Sequence, residues 1–493
     1  MPAPVTTPLF IGGQERDTTQ RMAIADPAKP GRIVGYSAAA TQVDVCDAVA
    51  AAKAAYPEWA ARSPHERAKE MLAALAGIAE NRDADAELLS QENGKIRMEA
   101  WVDSMVLELR WRLALSLADE VDRKKVLPAI PGAIPVQTTV GYQPLGVVSI
   151  IVPFNWPIAI LGASLPHALL GGNTVIVKPP LTAPLATTRV VERIARQLPP
   201  GVVNVVTGAD ENMTPLVRNP DVAKVCFTGS VGAGRKIMEL ASGSLTRVTL
   251  ELGGNDAAVV LRDAILDEPH LDRLYSAIYN TSGQVCMNAK RLFVHETRAD
   301  ELINGLSVRL QKVKLGYGLE KDTTMGPLHS AAQKVFVESL IREARDSGAT
   351  VLEFGELPGG DMKGGNFVRP AIVVNPQLSL RIVTEEQFGP VIPVISFRTE
   401  SEAIRMANDT WAGLAGSVWT ADPGAANRVG SQMVCGYVWV NDHGARRLDL
   451  RAPFGGMKAS GMGREQGIEG VRAFQDTRSI AQLDPAALAS LAH

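Results

Sequence analysis

The chain is short of cysteine and has no dominant charge. Its four cysteines, Cys46, Cys226, Cys286 and Cys435, are scattered through 493 residues with no CxxC pair and no Cys/His cluster. Such spacing excludes a disulfide framework and offers no metal site. It suits a reducing compartment, so a cytoplasmic protein is expected. Fifty Lys and Arg against 53 Asp and Glu leave a formal net charge of −3. That balance gives no basic surplus for nucleic acid and no acidic tail for a basic partner. The N-terminal "MPAPVTTPLFIGG" has no positive charge and no apolar core of the signal-peptide kind. Internal repeats and low-complexity linkers are missing too. A long unbroken hydrophobic run is also lacking. The nearest approach, Leu145 to Leu170, is interrupted by Pro153, Pro157 and Pro166 and contains Asn155 and His167. It reads as a strand, a polar turn and a buried helix rather than a membrane span.

What is present is an α/β rhythm, in a chain long enough for two or three domains. The first quarter reads as mostly helical, with Ala-rich helical spacing over 44–61 and 65–91 and an amphipathic helix over 98–123. From about residue 134, β-branched alternation sets in. Short apolar runs then alternate with helical stretches: "NTVIVKP", "GVVNVVTG", "VAKVCFTGS" and "RVTLELGG" are strands of a doubly wound parallel sheet. After Gly254 a second α/β unit begins, with strands at "DAAVVL", "RLFVHE", "ATVLEFG" and "VIPVISF" and helices over 299–315 and 331–347. The alternating stretch 474–484 reads as a solitary late strand, an edge for another segment or subunit.

Ligands of open α/β sheets collect at the carboxyl ends of the strands. There the sequence places Asn155, Lys178, the Gly229–Ser230 turn and Glu251. Four successive strand ends with polar groups are odd as pure packing. The turn opens a helix whose free N–H groups suit a phosphate, although Gly229-x-x-Gly232-x-Gly234 departs from G-x-G-x-x-G. Lys178 suits a nucleotide ribose or phosphate. Cys286 lies in "GQVCMN", and on its own reads first as a small core residue and only second as a nucleophile.

Seven stretches, "PFNWP", "VIVKPP", "FTGSVGAGRKI", "LELGGND", "SGQVCMNAKR", "EEQFGPV" and "APFGGMKASGMGRE", occur in the order and spacing of the NAD(P)-dependent aldehyde dehydrogenase superfamily. The chain resembles that family from about residue 8 to about 480. The resemblance implies a Rossmann-type cofactor domain (1–123 and 143–252), an α/β catalytic domain (253–470) and a small β oligomerisation arm (124–142 and 471–493) that joins homodimers or homotetramers. It makes Cys286 the nucleophile, Glu251 the general base and Asn155 the oxyanion donor. It implies cofactor contacts at Val152, Pro153, Phe154, Trp156, Lys178, Pro180, Phe227, Gly229, Ser230, Leu252, Gly253, Glu386 and Phe388. Lys178 matches the adenosine-ribose ligand, Ser230 the pyrophosphate site, and Glu386 with Phe388 the nicotinamide-ribose clamp. The substrate pocket falls to Trp156, Ile160, Val285, Met287 and His443. A carboxylate beside a thiolate is repelled, so Glu251 is expected to be mobile or to carry a raised pKa. Cys46, Cys226 and Cys435 sit in apolar runs and read as core.

Two departures leave alternatives open. Family members that prefer NAD often carry glutamate three residues after the strand-end lysine; here Leu181 stands there, so NAD is expected and NADP admitted. Arg446, Arg447 and Arg451 precede "PFGG" and suit a carboxylate-bearing semialdehyde, or else a solvated or subunit-facing loop. The apolar near pocket suits an aliphatic or aromatic aldehyde instead. A CoA-acylating relative and a non-catalytic structural relative are the competing readings. Glu251 argues against the first, and the retained Cys286 and Glu251 argue against the second.

Overall fold

The computed structural model describes residues 4–491; residues 1–3 and 492–493, the ends of the first and last segments assigned above, lie outside the described residues. Two large sheets dominate. Across the first, the strands run Gly461–Met462, Arg247–Glu251, Val222–Thr228, Val147–Ile151, Thr174–Lys178, Val203–Val205, Leu9–Ile11 and Gln14–Arg16. The five central strands are parallel. Their residues are buried on both faces, as continuous Val/Ile runs require. From Val147–Ile151 the chain winds one way through Thr174–Lys178 to Val203–Val205, then the other way through Val222–Thr228 to Arg247–Glu251. The reversal opens a crevice at the carboxyl ends of Val147–Ile151 and Val222–Thr228, where this architecture binds ligands.

The second sheet runs Thr350–Glu353, Ala371–Val374, Val391–Phe397, Ala289–His295, Asp256–Val260, Ala415–Trp419 and Tyr437–Val440, parallel except at its first strand. Two strands return to the first half of the chain. Gly461–Met462 pairs antiparallel with Arg247–Glu251, placing Gly461 opposite Glu251. Gln475–Leu483 pairs along its whole length with Val136–Pro144, whose other edge takes Lys125–Leu127. The late strand thus has its partner within its own chain, where the sequence suggested none nearby. Apolar Leu127, Ile130, Ile134, Ile480 and Leu483 are exposed on this three-stranded arm.

The first quarter is less helical than its sequence suggested. Five strands, from Val5–Thr7 to Ile33–Ala38, precede the first helix. They are three to six residues long and pair mainly with one another, too short for local periodicity to reveal them. Thr41 then caps Gln42–Ala61 in a reciprocal box with Asp44. That helix buries Val45, Ala48, Val49 and Ala52. Cys46 falls on its other face and is exposed, which corrects its reading as core. Cys226 is buried and Cys435 partly so. Segment 145–170 forms the strand Val147–Ile151 and the buried helix Pro157–Leu170. Among the described residues no helix is long and apolar enough to cross a membrane.

Candidate active site

Cys286 follows a turn that the backbone resists. Thr281, Ser282 and Gly283 hold φ of 53°, 54° and 75°. A β-branched residue in the left-handed region is strained and persists only where its surroundings fix it. Glu99, on the helix Arg97–Leu115, accepts the Thr281 N–H at 2.7 Å. Trp156 Nε1 donates to Thr281 Oγ1 at 3.1 Å, and Ser282 Oγ donates to the Gly326 carbonyl at 2.8 Å. Gly283 has no room for a side chain, since a Cβ there lies 2.0 Å from the Gly389 carbonyl oxygen. The turn brings Cys286 to the shared wall of two cavities, of about 640 and 260 Å³.

Asn155 lines both cavities as well. Its Nδ2 donates to the Gln284 carbonyl at 2.9 Å, which ties the amide to the segment carrying the cysteine. One N–H of that amide is thereby used, and the other is available for an oxygen bound at Cys286. The Asn155 backbone is anchored from beneath. Lys95 Nζ donates to its carbonyl and, at 2.8 Å, to Asp103 Oδ2. Asp103 Oδ1 accepts the Ala159 N–H at 2.5 Å, and both charged side chains are fully buried.

Glu251 ends its strand on the wall of the larger cavity. Among the described residues neither of its carboxyl oxygens has a hydrogen-bond partner. Burial, and then the like charge of Glu465, hold its pKa well above the usual carboxylate range, with Arg464 opposing. Glu465 comes close because Gly461–Met462 extends the first sheet beside Glu251; its Oε1 accepts the Ser164 hydroxyl at 2.5 Å. Burial also pushes the Cys286 thiol up to about 12; Glu386 adds to this and Lys290 opposes it. Burial thus favours the protonated form of both groups, which eases the expected repulsion between thiolate and carboxylate. Each becomes reactive only on losing its proton.

The smaller cavity is bounded by Pro153, Phe154, Gly229, Ser230, Leu252, Gly253, Glu386 and Phe388, with Thr228, Gln333 and Phe336 completing it. The Gly254 N–H donates to Glu386 Oε1 at 3.2 Å. Gly253 must be glycine for this approach, because a Cβ there falls 2.2 Å from Glu386 Oε2. Burial raises the Glu386 carboxyl to about 7, against the pull of Lys290.

Residues 14–480 match the model of the aldehyde dehydrogenase family. The chain belongs to that family. Among the curated relatives is peroxisomal aminoaldehyde dehydrogenase 1 of Pisum sativum, 36% identical over 487 residues that cover 96% of this chain and 95% of that one. Among solved structures, betaine aldehyde dehydrogenase of Staphylococcus aureus in complex with NAD+ superposes with a TM-score of 0.91 at 32% identity. It spans 97% of this chain and 95% of that one. An NADP-dependent enzyme of E. coli superposes at 0.92 with 30% identity, over 97% and 98% of the two chains.

On this dehydrogenase scaffold the residues singled out from sequence distribute unevenly. Cys286, Asn155 and Glu251 meet at the larger cavity, with Trp156, Ile160, Val285 and Met287 on the same wall. Trp156 lies on that side and not in the smaller cavity where it was also placed. Val152, Lys178, Pro180 and Phe227 do not line the smaller cavity either. Lys178 sits at the end of the neighbouring strand, opposite Ile151, and its Nζ pairs with Asp210 Oδ1 at 2.8 Å. Phe227 lies beneath the turn, and a Cβ on Gly229 falls 2.4 Å from its ring. His443 is not in the substrate pocket. It is buried behind the wall, with Nδ1 2.8 Å from Ser417 Oγ and Nε2 3.1 Å from the Met287 carbonyl. Burial lowers its pKa to about 3, so it stays neutral and can fix the segment after Cys286.

Sequence reasoning missed Lys95, Glu99, Asp103, Asp210, Gln333 and Glu465. Most act through partners tens to hundreds of residues away, and no local motif announces that. Asp210 alone carried a signal, as an acidic residue just beyond the strand "GVVNVVTG".

Proposed function

We propose that Cys286 Sγ attacks the carbonyl carbon of an aldehyde, with Asn155 holding the oxygen and Glu251 activating the water that later releases a carboxylic acid. The observation that carries this reading is the convergence of these three side chains on one cavity that adjoins a second crevice at the sheet reversal. The new C–S bond gives a thiohemiacetal whose oxygen takes the free N–H of the Asn155 amide and the Cys286 backbone N–H. A nicotinamide held in the smaller crevice would supply the acceptor for the hydride. Cys286 then holds the acyl group as a thioester. Glu251 takes a proton from water as the water oxygen bonds to the acyl carbon; the C–S bond breaks and the cysteine recovers its thiol. Overall, aldehyde, NAD(P)+ and water become carboxylic acid, NAD(P)H and a proton.

The smaller crevice fits such a cofactor. The Ser230 turn presents the N–H groups of the helix Val231–Ser242, and Glu386 is held where a ribose hydroxyl can reach it. Lys178 and Asp210 sit one strand away, at the position suited to the adenosine ribose. Leu181 offers that ribose nothing polar, whereas the Asp210 carboxylate neutralises Lys178 and repels a 2′-phosphate. NAD is therefore the preferred cofactor. Asp210→Ala should raise the NADP+ to NAD+ ratio of kcat/KM by about fivefold, an effect of roughly 1 kcal/mol suited to a pair whose carboxylate is exposed. An unchanged ratio removes Asp210 from the discrimination.

We further assign residues 1–123 and 143–252 to the cofactor domain, 253–470 to the catalytic domain and 124–142 with 471–493 to an arm that joins subunits as dimers or tetramers. Exposed apolar residues on a free sheet edge support that role. Four free cysteines, one of them required as a thiol, suit a reducing compartment such as the cytoplasm.

The test is reduction of NAD+ and NADP+ with and without CoA, comparing wild type with Cys286→Ala. Turnover without CoA that vanishes in the variant supports the reading. A strict requirement for CoA replaces it with the acylating reaction, and undiminished activity in the variant removes Cys286 as nucleophile.

A further inference from the structure

The larger cavity extends away from Cys286 along one stripe of the helix Arg97–Leu115. Met98, Val102, Met105, Val106, Leu109 and Leu113 line it, at the three- and four-residue intervals of a single helix face. From Val102 to Leu113 the stripe runs about 16 Å along the helix axis. Ala159, Ile160 and Ala163 of the helix Pro157–Leu170 face it, and Leu448, Leu450 and Phe454 close the far wall.

Six ionisable side chains line this cavity, Arg110, Glu251, Arg446, Asp449, Arg451 and Glu465, and of these only Asp449 and Arg451 pair with each other among the described residues. Glu251 and Glu465 stand at the reacting end. At the other end Asp449 accepts from Arg451 Nε and Nη2 at 2.9 and 2.8 Å. Arg447, off the wall, pairs with Asp442 at 3.2 Å. Arg110 and Arg446 line the cavity and are positive. The two carboxylates on the inward side of the stripe helix are committed elsewhere, Glu99 to the Thr281 N–H and Asp103 to Lys95. Among the described residues only Trp156 and Phe454 supply aromatic faces to the wall, and Trp156 already carries Lys95 Nζ 4.3 Å from its ring centre. A cation entering here meets neither a free carboxylate along the stripe nor an aromatic cage, the two devices that recognise ammonium groups.

We propose that this tunnel selects neutral aldehydes with a long apolar tail and turns away ammonium-bearing ones, in contrast to the betaine and aminoaldehyde dehydrogenases to which the chain is similar. The inference rests on the reading of Cys286 as the acceptor of an aldehyde carbon. The apolar tail lies on the Val102–Leu113 stripe and gains by burial, while a positive end loses its hydration and faces Arg110 or Arg446 in return.

Two comparisons test it with the native protein and NAD+. Along the straight-chain alkanals from propanal to decanal, kcat/KM should climb about fourfold per added methylene until the stripe is filled. Between 6-(trimethylammonio)hexanal and its neutral isostere 7,7-dimethyloctanal, whose ends reach along the stripe, the neutral compound should win by at least about a hundredfold. Leu109→Asp, at a partly exposed position of the stripe, should shrink that ratio by about tenfold or more. A flat chain-length series, or a cationic or ω-carboxylate aldehyde that beats its neutral isostere, overturns the proposal. The chemistry is separated from the tunnel by calorimetric binding of decanamide and 9-aminononanamide, which match in length. If no aldehyde is oxidised yet decanamide binds more tightly by a hundredfold, the dehydrogenase reading falls and the tunnel stands. Equal binding of the two amides sinks the tunnel whatever the chemistry.

Discussion

Glu251→Gln should release one equivalent of reduced cofactor per active site in a rapid burst and then almost stop. The amide is nearly isosteric, so aldehyde addition and hydride loss at Cys286 proceed. The thioester then waits for a water molecule with no base beside it. Steady-state turnover should fall about a thousandfold, within the range a positioned general base supplies. Rapid-mixing absorbance measures burst and steady rate together. A variant that keeps wild-type steady turnover removes Glu251 from the hydrolytic step. A variant without any burst shows that Glu251 is already needed at the first addition. The wild-type pH profile follows from the same groups. Burial holds Glu251 well above the carboxylate range and the Cys286 thiol near about 12. The reactive forms are the deprotonated ones, so the competent fraction is small at neutral pH and grows as pH rises. Activity should therefore climb through pH 7 to 9 without levelling. A plateau reached below pH 7 contradicts these environments.

Breaking the ion pair under Asn155 should be the most damaging change to stability. Lys95 and Asp103 are wholly buried, and each also holds backbone near the reacting amide. Asp103→Leu alone strands an ammonium in the interior and should cost about 3–5 kcal/mol, read as a lower denaturant midpoint. The double change Lys95→Met with Asp103→Leu removes both charges and should recover most of that loss, since a buried pair is often replaceable by apolar side chains of similar volume. Activity should not recover with it, because the Asn155 carbonyl has then lost its anchor. Recovery of both would show the pair to be structural filler. A single variant within about 1 kcal/mol of wild type would show that water reaches Lys95.

The contrast between what could and could not be read in advance follows the reach of each interaction. The parallel strands were legible because short apolar runs such as the "VIV" of "TVIVK" are buried on both faces, a signal carried within five residues. Cys286, Asn155 and Glu251 were legible because each sits in a distinctive local stretch. The strands up to residue 38 were not, since each has only three to six residues, too few to show a period. Cys46 was misread because Ala-rich composition conceals which helix face is outward. His443 was misplaced because its stretch lies near the mouth while its ring points back to Ser417 and Met287. The stripe of the tunnel was half visible: an amphipathic helix was plain, but not that its apolar side faces a cavity.

The strained turn before Cys286 has a consequence for how the protein comes into being. Its Thr281 is held by Glu99 and Trp156 from the first part of the chain and its Gly283 is shaped around Gly389 from the second. Neither half can impose that geometry alone. A nascent or partly opened chain carries the cysteine but lacks the carbonyl-activating surroundings. Catalytic turnover of aldehydes thus reports completed assembly of both halves.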